Sequence, residues 1–390
     1  MKKTAWLLLA TVLLCGCGGK GVKQEKEAAS ANDSVVAVEV KYATGFSVRD
    51  SAGVRLVEVG KKSRFALVRQ ADTEVPANYV KIVVPIRSAI CMTSLQLSNF
   101  TILDAHDVVR GITGTKNLFN ADIKQRVKEG RMVKIGMEGN IDTEQVMAAS
   151  PDVIFISPSK RGGYDAIRES GITLVPHLGY KELDPLGQAE WVKLVGMFIG
   201  KEQEANTVFT GIEQRYNTLK AKVDSLNSQC NATRSKRERS LQRHTLEERT
   251  PTVISGEMHY GTWHAVGGKN YLAQIFRDAG ADYVIKDEET GGENFEFEKV
   301  YSLAAQADYW RILNSYPGDF SYEALKASEP RNELFKAFKE RKVIYCNMKK
   351  TPYYEIAPVK PDVLLKDFVA IFHPELVEPD YQPTFYRLLK

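Results

Sequence analysis

The chain has 390 residues, with 53 Lys and Arg against 49 Asp and Glu for a formal net charge of +4, and 43% hydrophobic and 26% charged residues. These are the proportions of ordinary globular domains, and at roughly 150 residues per domain the length suits two or three packed units. They exclude a disordered chain, a collagen, a coiled coil and a multi-span membrane protein; a positive surplus can mark a nucleic-acid binder, so its location matters more than its sum.

Lys2 and Lys3 precede an apolar run over 5–14 broken only by Thr11. Ten residues are too few to cross about 30 Å of hydrocarbon, so residues 1–17 are read as a signal peptide. The run ends Leu14-Cys15-Gly16-Cys17, which resembles a bacterial lipobox. Small Gly16 before Cys17 makes Cys17 the expected lipidation site, and the implied acyl chains exceed what stable anchoring needs. Residues 18–34 are Gly, Lys, Glu, Ala and Ser with almost no large apolar side chain, a flexible tether. The mature protein is therefore expected in a cell envelope of Gram-negative type, periplasmic and held to a membrane by lipid.

Short β-branched runs at 35–40, 53–59 and 64–68 predict a small β-rich preface over 35–78. From 79 strands alternate with helices: strand 81–85, helix 88–100, strands 108–112 and 133–136, helix 143–149, strand 153–156, helix 164–170 and strand 172–175. This is the pattern of a mostly parallel sheet with flanking helices, an N-terminal lobe over 79–185. Trp191, Leu194, Val195 and Phe198 recur at helical spacing until Gly200, and a second apolar stripe runs from Ala205 to Leu226, so 186–227 is a helical connector. Residues 228–250 carry six basic and three acidic side chains with no aromatic residue between them. They predict a solvated insertion or frayed helix end, and no nucleic-acid partner. With Lys2 and Lys3 this insertion accounts for the positive surplus, and the rest of the chain is near neutral.

The alternation resumes over 251–390 as a C-terminal lobe: strand 252–255, helices 271–279 and 298–305, strand 309–313, helix 333–340, strand 343–346 and helix 362–372. The fold class is α/β, two lobes joined by a long helix with a ligand cleft between them, where loops at the strand carboxyl ends converge. An internal echo supports the symmetry: an acid, a short helix and an Asp before a strand recur as Glu144 to Asp152 and Glu298 to Asp308. Cys91 and Cys346 sit in apolar surroundings and are expected as buried thiols, and with Cys230 they show no zinc spacing.

The richest loop follows the first strand of the second lobe and contains Met258, His259, Tyr260, Trp263 and His264. Rings for stacking, imidazoles and a thioether suit a flat or greasy metal chelate. Arg87 and Arg161 offer donors to anionic groups from the first lobe, with Tyr164 beside them, and Tyr353 and Tyr354 follow a strand of the second lobe.

The stretches IDTEQVMAASPDVIFIS, ESGITLVP and WHAVGGKNYLAQIFRDAGADYV, with the helix pair between them, resemble the class III substrate-binding proteins of ABC importers. The resemblance spans roughly three quarters of the chain, from about 80 to 372. It implies capture of an iron-siderophore, haem or cobalamin, and delivery to an ABC permease with its ATPase. It also implies that Glu144 and Glu298 dock onto the permease, one from each lobe. The metal complex is cargo; no intrinsic cofactor or resident metal, and a monomer, are expected. An enzyme reading lacks GxSxG, Walker, HExxH and GxGxxG motifs; its best form is a metal chelatase of related architecture using His264 and Glu257.

Overall fold

The computed structural model describes residues 36–114, 118–137, 139–158, 164–238 and 250–390. An N-terminal sheet pairs Phe46–Ser51, Val54–Val59 and Ser63–Val68 as an antiparallel meander, and Val80–Val83 adds in parallel beside the third strand. Two expectations change here. Residues 36–40 make no strand, and Val80–Val83 belongs to the preface instead of opening the first lobe. Its exposed Val80 and Val83 fit an edge strand, whereas a strand inside a covered parallel sheet is buried on both faces.

The irregular segment before this sheet is held by two buried carboxylates. Glu190 accepts the backbone N–H groups of Lys41, Tyr42 and Ala43 and the Lys193 ammonium at 2.7 Å. Glu182 accepts from Thr44 N, Gly45 N and Trp191 Nε1. Side-chain oxygens thus do for this segment what a neighbouring strand would otherwise do.

The first lobe has an all-parallel sheet in the order Thr173–Pro176, Val153–Ile156, Ala89–Cys91, Val109–Ile112, Val133–Lys134. Ala89–Cys91 lies within the region read as helix 88–100. The helix begins later, at Ser94–Ile102, behind a capping box in which Thr93 and Gln96 satisfy each other's backbone donors. In Val153–Ile156, Val153 and Phe155 enter the large core while Ile154 and Ile156 pack with Ile90, Val146 and Ile167 on the opposite face.

In the second lobe the order is Asp282–Tyr283, Thr252–Ser255, Tyr309–Asn314, Val343–Asn347, with Arg387–Leu388 added antiparallel at the edge. In the first lobe the opening strand Ala89–Cys91 is the middle one of five, with the second and third strands on one side and the fourth and fifth on the other; in the second lobe Thr252–Ser255 has Asp282–Tyr283 on one side and the later strands on the other. The echo in the sequence has a counterpart at the strand starts. Asp152 Oδ2 accepts from Ser88 N and Ser88 Oγ accepts from Asp152 N, while Asp308 Oδ2 accepts from Thr252 N and Thr252 Oγ1 accepts from Asp308 N.

Between the lobes, Pro185–Ile199 is buried along all 15 residues and stops at Gly200, whose φ of 69° is the left-handed cap that a glycine supplies. Glu202–Glu238 then runs 37 residues, about 55 Å at 1.5 Å per residue. It continues past Leu226, where the apolar stripe in the sequence ends, and takes in the first part of the stretch read as an insertion. Asp278 accepts from Tyr216 at 2.7 Å and pairs with Lys220, tying this helix to the second lobe. Cys91 and Cys346 are free buried thiols in strands of different lobes, and burial holds the Cys346 thiol up to about 11. No helix among the described residues is long and apolar enough to cross a membrane.

Candidate functional site

Parallel strands of both lobes end at the same crevice. The Ala89–Cys91 strand leads to Ser94, Val109–Ile112 to Thr113 and Gly114, and Val133–Lys134 to Met137; from the other lobe come Ser315, Met348 and the turn 351–355. Together they enclose a cavity of about 580 Å³, within the range that holds a drug-sized ligand. Phe119, Met137, Met348 and Tyr354 make its walls largely apolar, with Lys134 the cation and Glu355 the carboxylate at its margin. Met137 is 64% exposed and Tyr354 54%, so large apolar groups stand open to whatever enters.

Glu355 spans the crevice. From the second lobe its carboxylate accepts Phe119 N at 2.6 Å and Asn120 N at 3.0 Å. Asn120 is the N-cap of the helix Ala121–Lys128, so the charge also lies where the helix dipole favours it. Charge-assisted bonds of this kind contribute about 1.5–3 kcal/mol each. Glu355→Ala is therefore expected to let the lobes part, seen as a larger radius of gyration in solution scattering and a weaker affinity for the cleft's ligand by about tenfold or more. An unchanged radius and affinity would show that other contacts set the separation.

A second recess of about 220 Å³ opens in the second lobe where strands Thr252–Ser255 and Tyr309–Asn314 adjoin; Ser255, Glu257, His259, His264, Arg311 and Leu313 line it. The stretch read as a loop is a hairpin, Glu257–His259 against Thr262–Val266, extended by Gly292–Phe295. Gly256, at φ 106°, lets the chain enter it, because a Cβ there would strike the His264 carbonyl. His259 Nε2 lies 3.3 Å from Glu257 Oε1, and the His259 and His264 rings are 5.7 Å apart. Burial raises the Glu257 carboxyl above its ordinary range, against the opposing pull of Asn314, His259 and Arg311. No cluster of three or more potential metal-ligating side chains occurs among the described residues.

The residues singled out from the sequence are thus distributed. Tyr353 and Tyr354 line the crevice, although Tyr353 is buried against Tyr386 and Phe385 and presents little surface. His259 and His264 line the smaller recess. Met258 packs half-buried against the core, and Tyr260 stands fully exposed at the hairpin tip with φ 49°. Trp263 is not a lining residue: it is wholly buried, stacked on Trp310 at 5.3 Å, because its position in the hairpin points inward. Arg87 follows Val80–Val83, but that strand belongs to the N-terminal sheet; in the first lobe Arg87 precedes Ala89–Cys91, at the amino end of the sheet and away from the cleft. Tyr164 is buried in the first lobe's second core cluster. Arg161 and Cys17 lie outside the described residues.

Glu144 and Glu298 occupy similar places, each exposed in the first turn of a helix, Thr143–Ala149 after a two-stranded and Phe297–Ala304 after a three-stranded antiparallel sheet. Glu298 pairs with Arg331 at 3.1 Å, and that guanidinium lies 4.0 Å from the Phe297 ring centroid. Sequence reasoning missed Phe119, Met137, Met348, Glu355 and Arg311. Each is one residue among many of its type, and only the meeting of the two lobes brings them together.

A family model described as periplasmic binding protein matches residues 93–349. An uncharacterized lipoprotein of Methanocaldococcus jannaschii is 28% identical over 333 residues, covering 79% of this chain and 72% of its own. A periplasmic heme-binding protein from Pseudomonas aeruginosa superposes with a TM-score of 0.57 at 14% identity, over 78% of this chain and 98% of its own. The heme-binding protein HutB of Vibrio cholerae does so at 0.55 and 14%, over 74% and 99%. These structural likenesses concern the fold.

Proposed function

Because this chain belongs to the periplasmic binding protein family, we propose that it captures an iron complex, a ferric siderophore or haem, or else cobalamin, between its lobes and hands it to an ABC permease. The observation that carries the reading is the crevice itself: about 580 Å³ at the carboxyl ends of two parallel sheets, walled by Phe119, Met137, Met348 and Tyr354. Such walls suit a broad apolar or aromatic chelate more than a hydrated ion, which would need converging oxygen or nitrogen ligands. The heme-binding proteins of like fold support the ligand class. Lipid attachment at Cys17 belongs to the same proposal, supported by the lipobox and by a relative named as a lipoprotein. Glu144 and Glu298, at matching helix starts, would meet basic groups of the permease.

Titration of the purified mature protein with ferric siderophore, haem and cobalamin in turn is expected to give one-to-one binding of one of them, without turnover. Tryptophan quenching and the visible band of the complex are the readouts. No response to any of the three at micromolar concentration would overturn the reading.

A further inference from the structure

Arg311 carries a buried charge that makes no ion pair among the described residues; the Glu257 carboxylate acts on it only across the recess. It is 6% exposed. Its Nε and Nη2 donate to the one hydroxyl of Tyr386, its Nη1 donates to Ser255 Oγ at 3.2 Å, and the Tyr386 ring lies 5.1 Å from its guanidinium carbon. All these partners are neutral. A guanidinium has five N–H donors in a rigid fork and retains its charge at any ordinary pH, so two hydroxyls leave it under-bonded. Desolvating a charge is costly unless an opposite charge answers it.

Arg311 borders the smaller recess, and a complementary defect lies beside it. Glu257 Oε2 accepts from Asn314 Nδ2 at 3.1 Å, but Oε1 is buried with no hydrogen bond; His259 is within ion-pair distance without bonding geometry. One recess of about 220 Å³ thus offers spare cationic donors and a spare anionic acceptor. A bare carboxylate would answer the first and leave the second unmet. A 2-hydroxycarboxylate answers both, its two oxygens accepting from the guanidinium and its hydroxyl donating to Glu257.

We infer that the recess between Thr252–Ser255 and Tyr309–Asn314 is a binding site for a 2-hydroxycarboxylate group, held by Arg311 and recognised through its hydroxyl by Glu257. On the reading of the crevice as a chelate site, this group is an arm of the captured ligand; the recess itself does not depend on that reading. The recess is small enough to take an arm and too small to take the body of a chelate.

The site has its own reporter. Trp263 Nε1 donates to the Ser255 carbonyl at 3.1 Å and Trp310 Nε1 to the Gly256 carbonyl at 2.7 Å, and both carbonyls belong to residues lining the recess. Lactate titrated into the full mature protein is expected to change tryptophan fluorescence saturably, in the millimolar range. Propionate, which lacks only the hydroxyl, is expected to bind about tenfold more weakly, since it leaves a buried acceptor unpaired. Arg311→Met should abolish the response and Glu257→Ala should make lactate and propionate equivalent. Equal responses to the two acids in the unaltered protein, or a full response in a folded Arg311→Met variant, would overturn the assignment. If Arg311→Met does not fold, as near-ultraviolet circular dichroism would show, Glu257→Ala decides: a retained preference for lactate overturns it. A lactate response without binding of any chelate would count against the crevice reading alone, and chelate binding without a lactate response against this inference alone.

Discussion

Glu190→Ala is expected to destabilise the protein by about 4 kcal/mol, because it removes the acceptor of three partly buried backbone donors and the carboxylate that pairs with the buried Lys193 ammonium. The carboxylate is fully buried, receives the N–H groups of Lys41, Tyr42 and Ala43, and pairs with Lys193, itself almost wholly buried. A lower urea midpoint with an unchanged slope, and proteolytic access to residues 36–45, are the measurements. The ion pair and the strap can be separated. Replacing both Glu190 and Lys193 by methionine removes the stranded charge but still leaves three N–H groups without acceptors. If the strap matters, the double variant recovers only part of the loss; full recovery would mean that the ion pair alone was responsible. The stake is more than local, since the strapped segment lies on the helix Pro185–Ile199 between the lobes.

Glu144→Lys combined with Glu298→Lys is expected to reduce uptake in the native host about a hundredfold, since like charges brought together at an interface cost several kcal/mol. Affinity for the chelate should stay within about twofold, because both residues stand on exposed helix starts outside the crevice and surface changes of this kind are usually small. The lobes will not contribute equally. Glu298 already pairs with Arg331 and would have to exchange that partner in order to meet a permease group, whereas Glu144 makes no ion pair among the described residues. Of the single variants, Glu144→Lys should do the greater harm. Loss of chelate binding in the double variant would instead assign these acids to the ligand site.

Much of the architecture was legible because it follows from local pattern. Strands 153–156 and 252–255 and the helix over 143–149 were read at the bounds they have, since buried apolar runs and caps are properties of neighbouring residues. Gly200 as a helix terminator is of the same kind. The misreadings share a cause. Residues 88–100 begin with a three-residue strand too short to announce itself beside a strong helix signal, and the hairpin at 257–266 is rich in polar and aromatic residues that also suit a loop. Val80–Val83 reads as a strand in either sheet, and only its partner decides which.

The sequence by itself determined the two α/β lobes, the helical connector, the near-neutral body beneath a positive total, and the repeated acid-helix-Asp unit. Periodicity, propensity and composition act over a few turns of chain and need no knowledge of what lies opposite. Tertiary structure alone decided that Arg87 and Trp263 are turned away from the ligand, that Glu355 reaches 236 residues back to the other lobe, and that Arg311 and Glu257 share one recess. Those facts depend on which way a strand runs, which face a side chain takes and what distant segment fills the space beside it. A buried charge is recognised by the partner it lacks, and that appears only when the surrounding residues are in place.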